Sequence, residues 1–280
     1  MAQDHAISTR DPASVVFFNY GGNDAGAGEK GLPKFQENIA ESVAKAKSYG
    51  ARVYLLTPQA ADVRKAGEAP AARRALYADA LIRFGKEKGW PVIDVHHPLA
   101  ELQKLAQNDD DAYTILADTI HLTPPAYIAW AYYQYDRLNP PARESSATLR
   151  ADGQVTSVKN CKISDVKATE VGLTFTRADE ILPILPPQSL PPRSHVPLER
   201  LSRYMLQIEG LKEGDYTIAS GGKSLGATTA AALAKGVNLN TLLLDAKGHA
   251  PWSNLAKDLW EGDNLDQIGQ TRWTFDVRRK

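Results

Sequence analysis

Val15-Val16-Phe17-Phe18-Asn19-Tyr20-Gly21-Gly22-Asn23-Asp24 is an apolar run that stops at two glycines, an amide and a carboxylate. Four consecutive β-branched and aromatic residues predict a strand buried on both faces, as in a parallel sheet. Open α/β sheets place their ligands at the carboxyl ends of such strands, so the residues around Asn23 are candidates for a site edge. The same Gly-Gly-Asn-Asp also reads as a plain turn, because glycine supplies positive φ and Asn and Asp hydrogen-bond their own backbone.

The residues that follow extend the α/β pattern. Phe35, Ile39, Val43 and Ala46 recur at helical spacing and Gly50 stands where that helix would end. Arg52 to Thr57 predicts a second buried strand stopped by Pro58, which cannot donate to a ladder. Leu76, Ala80, Leu81 and Phe84 mark a second helix closed by Gly89, and Val92 to Val95 a third strand. This alternation predicts βαβ units and a parallel sheet. Thr123 before Pro124 reads as an N-cap and first helical residue, opening a helix through Tyr135. That places the stretch Asp118-Thr119-Ile120-His121 in the loop leading into a helix.

The two stretches together resemble the SGNH (GDSL-type) hydrolases. Gly21 to Asp24 matches that family's Gly-x-Asn-Asp block, and Asp118 and His121 match its late Asp-x-x-His block. The resemblance covers roughly residues 10 to 140. It implies a three-layer α/β domain and ester hydrolysis, with carbohydrate deacetylation as an analogy only. It also implies His121 as general base, Asp118 as the acid that orients it, Asn23 as side-chain oxyanion donor, and Gly21 and Gly22 as backbone lying close to the substrate. Asp24 is expected to tie the adjoining loop.

The chain departs from the family at its start. The family's first strand ends in Gly-Asp-Ser, whose serine is the nucleophile, and a second block supplies a glycine N–H to the oxyanion; neither block occurs here. Ser8 and Ser14 precede the first strand, at the wrong end for such a site. The expectation is of an N-terminally incomplete hydrolase domain, with a non-catalytic remnant or binding module as the rival. On either view triad-type esterase activity is expected near background. Val15 to Asn19 would then be an exposed edge prone to self-association.

Composition narrows the remaining classes. The 280 residues carry 33 basic and 33 acidic side chains, which gives no net field for nucleic acid or an anionic membrane. The expected partner is a small-molecule or carbohydrate ester. Cys161 is the only cysteine and reads as a small buried hydrophobe, leaving neither an internal disulfide nor a multi-cysteine metal site. His96 and His97 read as a polar loop, because no third ligand lies near them in sequence, so no metal and no cofactor is expected. Gly26-Ala27-Gly28 lacks the spacing of a phosphate loop. There is no apolar run of membrane-spanning length and no signal-peptide pattern in these residues; localisation stays open, and relatives in the family are often secreted.

Beyond Asn139-Pro140-Pro141 the pattern changes, and a domain boundary is expected between residues 1–140 and 141–280. Alternating runs at Val155 to Val158, Lys162 to Val166 and Val171 to Thr176 predict strands with one wet face, hence a β-rich module. Prolines from Pro183 to Pro197 predict an extended connector. Tyr204 to Ile208 and Asp215 to Ala219 predict a hairpin, with a further turn at Gly221-Gly222. Helices are expected at Thr228 to Ala234 and Ser253 to Trp260, and Trp252, Trp260 and Trp273 are expected to pack in the core of this module.

Overall fold

The computed structural model describes residues 14–181, 198–245 and 272–280. Two units divide them, one running through Asn139 and one beginning at Pro140.

The first unit is built on three parallel strands, β1 (Val15–Asn19), β2 (Arg52–Leu56) and β3 (Val92–Ile93), in the order β1-β2-β3. β1 and β2 pair from Val15↔Arg52 to Asn19↔Leu56, and Leu55 and Leu56 pair with Val92 and Ile93. Helix α1 (Leu32–Ser48) follows β1. Between β2 and β3 stand the short α2 (Val63–Ala66) and the long α3 (Glu68–Lys88). The apolar stripe Phe35, Ile39, Val43 and Ala46 of α1 meets Tyr77, Leu81 and Phe84 of α3 over Val53 and Leu55 of β2. Leu56, Ile93 and Val95 form a separate cluster with Tyr54 and with Trp130 of α5 (Pro124–Arg137). Gly85 allows the close approach of α3 to the sheet, because a Cβ there would lie 2.1 Å from Val92 Cγ2.

Three local expectations need correction. β1 is not buried on both faces: Val15 is 40% and Phe17 44% exposed, because β1 has only β2 as a neighbour among the described residues. The apolar run reported strand propensity correctly but could not report how many neighbours the strand would have. The third strand is two residues long rather than four, and His96 and His97 are not a loop. They open a fourteen-residue helix, α4 (His96–Asp109), whose apolar face is Leu99, Leu102 and Ala106. Thr123 does cap α5 as its sequence predicts, its side chain accepting a hydrogen bond from Ala126 N.

The second unit is two sheets around one core. β4 (Arg143–Arg150), β5 (Val155–Lys159), β6 (Cys161–Thr169) and β7 (Gly172–Asp179) come first. The one-turn helix α6 (Leu198–Leu201), β8 (Ser202–Glu209), β9 (Asp215–Ser220), β10 (Lys223–Thr229), α7 (Ala230–Lys235), β11 (Val237–Asn238), α8 (Leu239–Asp245) and β12 (Arg272–Arg279) complete it. One sheet has the order β10-β9-β12-β7-β6 and the other β11-β8-β4-β5. Leu173, Phe175, Ile218, Phe275 and Val277 from the first sheet pack with Ala147, Leu149, Leu206 and Ile208 from the second. Cys161 belongs to this core as a buried free thiol.

The expected hairpin between Tyr204 to Ile208 and Asp215 to Ala219 does not form, since β8 and β9 lie in different sheets. The Gly210 to Gly214 segment passes from one sheet to the other, and the true hairpin is β9–β10 around Gly221-Gly222. Trp273 lies partly buried against the core, while Trp252, Trp260, the helix expected at 253–260 and the proline connector fall outside the described residues. No helix among the described residues is long and apolar enough to cross a membrane.

Candidate active site

The candidate site is built from the loops after β1 and β2 and from the segment between α4 and α5. After β1 the chain turns sharply at Gly21, whose φ is +103°. A Cβ there would lie 3.3 Å from both Phe35 Cζ and Pro58 Cδ, so glycine is required on both conformational and packing grounds. Asp24 Oδ2 accepts from Gly21 N at 3.1 Å and closes the turn, and Gly21 O accepts from Ala25 N at 3.0 Å. Both polar groups of the Gly21 backbone are thereby used within the loop. Asn23 precedes a short 3₁₀ turn (Asp24–Ala27), and its side chain makes no capping hydrogen bond to it. Its exposed amide is left to face solvent. Gly22 is half-buried, with Gln59 Oε1 3.8 Å from the place a Cβ would occupy.

The second block forms a self-contained unit. Asp118 Oδ1 accepts from Ile120 N and His121 N, both at 2.7 Å, while Asp118 Oδ2 lies 2.7 Å from His121 Nδ1. A carboxylate facing Nδ1 fixes that nitrogen as the N–H donor and leaves Nε2 with its lone pair. Among the described residues no hydrogen bond to Nε2 is present, and the imidazole side chain is 66% exposed. The ring hydrogen bond, followed by the two backbone N–H groups, holds the Asp118 carboxyl well below the usual carboxylate range.

The segment after β2 joins the two blocks. Pro58 packs on Gly21, and Gln59 Nε2 donates to Ile120 O at 3.2 Å. The Asp118–His121 loop is held at two further carbonyls: Lys65 Nζ donates to Ala117 O at 3.0 Å and Arg74 Nη2 to Thr119 O at 3.2 Å. Gln59, Lys65 and Arg74 are contributions that motif matching did not find. The signal for Arg74 was present in the helical stripe Arg74, Tyr77, Ala78, Leu81, where a cation stands on the buried face of α3.

Thr57, at the end of β2, stands where a surrogate hydroxyl nucleophile could be sought. Its Oγ1 instead accepts from Val95 N at 2.9 Å and His96 N at 3.0 Å and donates to Asp94 Oδ1 at 3.3 Å, with the residue fully buried. Both lone pairs and the proton are committed, so this hydroxyl is a structural knot. Asp94 repeats the geometry of Asp118: its Oδ1 accepts from His96 N and His97 N, and its Oδ2 lies 2.8 Å from His97 Nδ1. Here the other imidazole nitrogen is occupied, because His97 Nε2 faces Asp79 Oδ1 at 3.4 Å. Burial lowers the pKa of His96, whose Nδ1 lies 3.2 Å from Pro58 O. Among the described residues no group of three or more His, Cys, Asp or Glu is placed to hold a metal ion.

A parallel sheet whose β2 loop is hydrogen-bonded to the Asp118–His121 segment has counterparts among known proteins. Residues 1–129 match the family model described as GDSL-like Lipase/Acylhydrolase family. The match falls on the first unit, which resembles that family. Among solved structures, a gut microbial diltiazem-metabolizing enzyme superposes with a TM-score of 0.57 at 19% identity, over 89% of this chain and 64% of its own. The chain thus spans about two thirds of the length of that enzyme, and the likeness is one of fold. An acetyl xylan esterase aligns with a TM-score of 0.37 at 16% identity, over 46% of this chain and 67% of that one. A lipase/acylhydrolase from Enterococcus faecalis gives 0.34 at 22% identity, over 44% and 61%. No curated protein matches the chain.

Proposed function

We propose that the GDSL-like unit carries the base, the orienting acid and one oxyanion donor of an ester-hydrolysing site. The observation that carries this reading is the Asp118–His121 pair, in which Nδ1 faces a carboxylate and Nε2 is left exposed with its lone pair. An imidazole in that state removes a proton from an attacking oxygen, and its orienting carboxylate stabilises the imidazolium that results. Asn23, with its amide uncommitted to its own turn, serves as the oxyanion donor, and Gly22 lets the acyl group lie against the loop. The GDSL-type reading carries with it a three-layer domain, with α1 and α3 over one face of the sheet and α5 over the other. The acyl donor is a small ester; acetylated carbohydrate is one member of that class.

A second reading is that the unit binds esters without turning them over. It is favoured by the lack of any Gly-Asp-Ser in the 280 residues and by the commitment of Thr57 to backbone N–H groups. The two readings separate in an assay that supplies the missing hydroxyl from solution. The purified chain is given 4-nitrophenyl acetate and trifluoroethanol, and transfer of the acetyl group to the alcohol is followed beside hydrolysis. General-base help from a positioned imidazole contributes on the order of 10²- to 10⁴-fold. On the catalytic reading transfer is faster than with His121→Ala by a factor in that range, and acetylxylan competes if carbohydrate esters are accepted. Equal rates for the two proteins would leave the binding reading.

A further inference from the structure

We propose that Arg74 is a positioning residue for the base, holding the Asp118–His121 loop from the buried side of α3; this rests on the acyl-transfer reading of His121. A guanidinium that is only 6% exposed is costly to keep in place unless it is paired or fully hydrogen-bonded. Arg74 Nη2 donates to Thr119 O, and its Nη1 is buried with no hydrogen-bond partner among the described residues. Burial lowers the pKa of this guanidinium, and the negative charge of Asp118 acts against that lowering. Arg74 thus reaches the loop one residue from the carboxylate that fixes the His121 tautomer. Its hydrogen bond ends on the residue between Asp118 and Ile120.

The loop is anchored at its base, where Ile115, Leu116 and Leu122 are buried in the core, but its tip is exposed. Asp118 and His121 are both more than half exposed, and Asp118 spends its oxygens on Ile120 N, His121 N and the imidazole, all inside the loop. That internal set fixes the shape of the turn but not its position on the unit. The base of the loop is placed by its buried flanks and by Ala117 N donating to His121 O, and the tip by three outside donors to three carbonyls: Lys65 to Ala117, Arg74 to Thr119 and Gln59 to Ile120. Only Arg74 of the three is buried, so its side chain has the fewest alternative rotamers and water competes least for its hydrogen bond. A base must stand within hydrogen-bond reach of its proton, and a misplacement of about 1 Å costs on the order of 100-fold.

The test compares Arg74→Met, which keeps the bulk and removes the charge and donors, with Arg74→Lys, which keeps the charge. Each is measured by acetyl transfer from 4-nitrophenyl acetate to trifluoroethanol and by proton NMR of the His121 Nδ1–H. For Arg74→Met the expected result is a loss of roughly 10- to 100-fold in kcat with KM within about twofold, and a broadened Nδ1–H signal, at unchanged circular dichroism. Arg74→Lys should recover most of both. Wild-type kcat and a sharp Nδ1–H signal in Arg74→Met would overturn the proposal, as would a parallel loss of kcat and of folded protein. Should the wild type itself show no His121-dependent transfer, the acyl-transfer reading fails while the NMR comparison still decides whether Arg74 positions the ring.

Discussion

Replacing Thr57 by valine keeps its shape and removes the hydroxyl that ties β2 to the turn after β3. Three polar groups meet that oxygen, and they do not lose equally. His96 N retains Asp94 Oδ1 at 3.0 Å as a second acceptor, and Asp94 Oδ1 retains the His96 and His97 N–H groups. Val95 N has no other acceptor among the described residues and becomes an orphaned donor next to a residue with no exposed surface. One buried unsatisfied N–H costs about 1–3 kcal/mol, and the methyl gained returns roughly 0.8 kcal/mol of it. The net expectation for Thr57→Val is a loss of about 0.2–2 kcal/mol. Thr57→Ser keeps all three contacts and should lose about 0.8 kcal/mol for its methyl group, while Thr57→Ala combines the two losses. Urea denaturation of the full chain ranks the variants, and hydrogen exchange at the Val95 amide reports the local event. Acetyl transfer by Thr57→Val should match the wild type per folded molecule, because this hydroxyl attacks nothing. A Thr57→Val protein at least as stable as the wild type, with the Val95 amide still protected, would refute the reasoning.

Other consequences are more local. Gly21→Ala forces a side chain into φ +103° with its Cβ 3.3 Å from Phe35 and Pro58, and should destabilise the first unit by about 1–3 kcal/mol in the same denaturation experiment. In the second unit Arg177 is fully buried, donating to Asp179 Oδ1 and Ser145 Oγ, both at 2.8 Å, and to Met205 O at 3.0 Å. Arg177→Ala leaves Asp179 buried and uncompensated and should cost about 3–5 kcal/mol, whereas Arg177→Met paired with Asp179→Leu should recover most of that in a thermal melt. The Asp118 carboxyl titrates below its unfolded value, so its contribution to stability is complete above about pH 4 and is lost only as pH falls through the lower folded value. Carboxyl-carbon NMR should find Asp118 ionised below the usual carboxylate range in the wild type and returned toward it in His121→Ala; ordinary titration with His121 in place would contradict the hydrogen-bond assignment.

The parts of the fold that were readable in sequence are those set by local periodicity. The helical stripe of α1, the Thr-Pro start of α5 and the glycine stops after α1 and α3 all depend on neighbours within a turn or two. Exposure of β1 depends instead on which strand lies beside it, and Val-Val-Phe-Phe reads the same in the middle of a sheet as at its edge. The partnering of β8 and β9 failed for a related reason. Two alternating strands joined by a glycine turn give the pattern of a hairpin whether they pair with each other or continue into facing sheets of a sandwich. At the site, Asp118 and His121 were visible because one tight turn brings them together, and Gly21 because its conformation excludes other residues. Gln59, Lys65 and Arg74 act across 61, 52 and 45 residues of chain, a distance no short motif encodes. The cation on the apolar stripe of α3 was the one trace they left.

That Gly21 to Asp24 and Asp118 to His121 serve one ligand is the claim on which the functional account stands. An aryl methylphosphonate monoester carries the tetrahedral, anionic shape of the acyl-transfer intermediate and is not turned over, so it can be titrated into labelled protein while the Asn23 side-chain amide and the His121 ring are followed by NMR. The account predicts that both sets of signals move, with the same midpoint, and that Asn23→Ala weakens the response at His121. Movement of one set alone, or two unrelated midpoints, would show that the blocks do not share a site and would contradict the account.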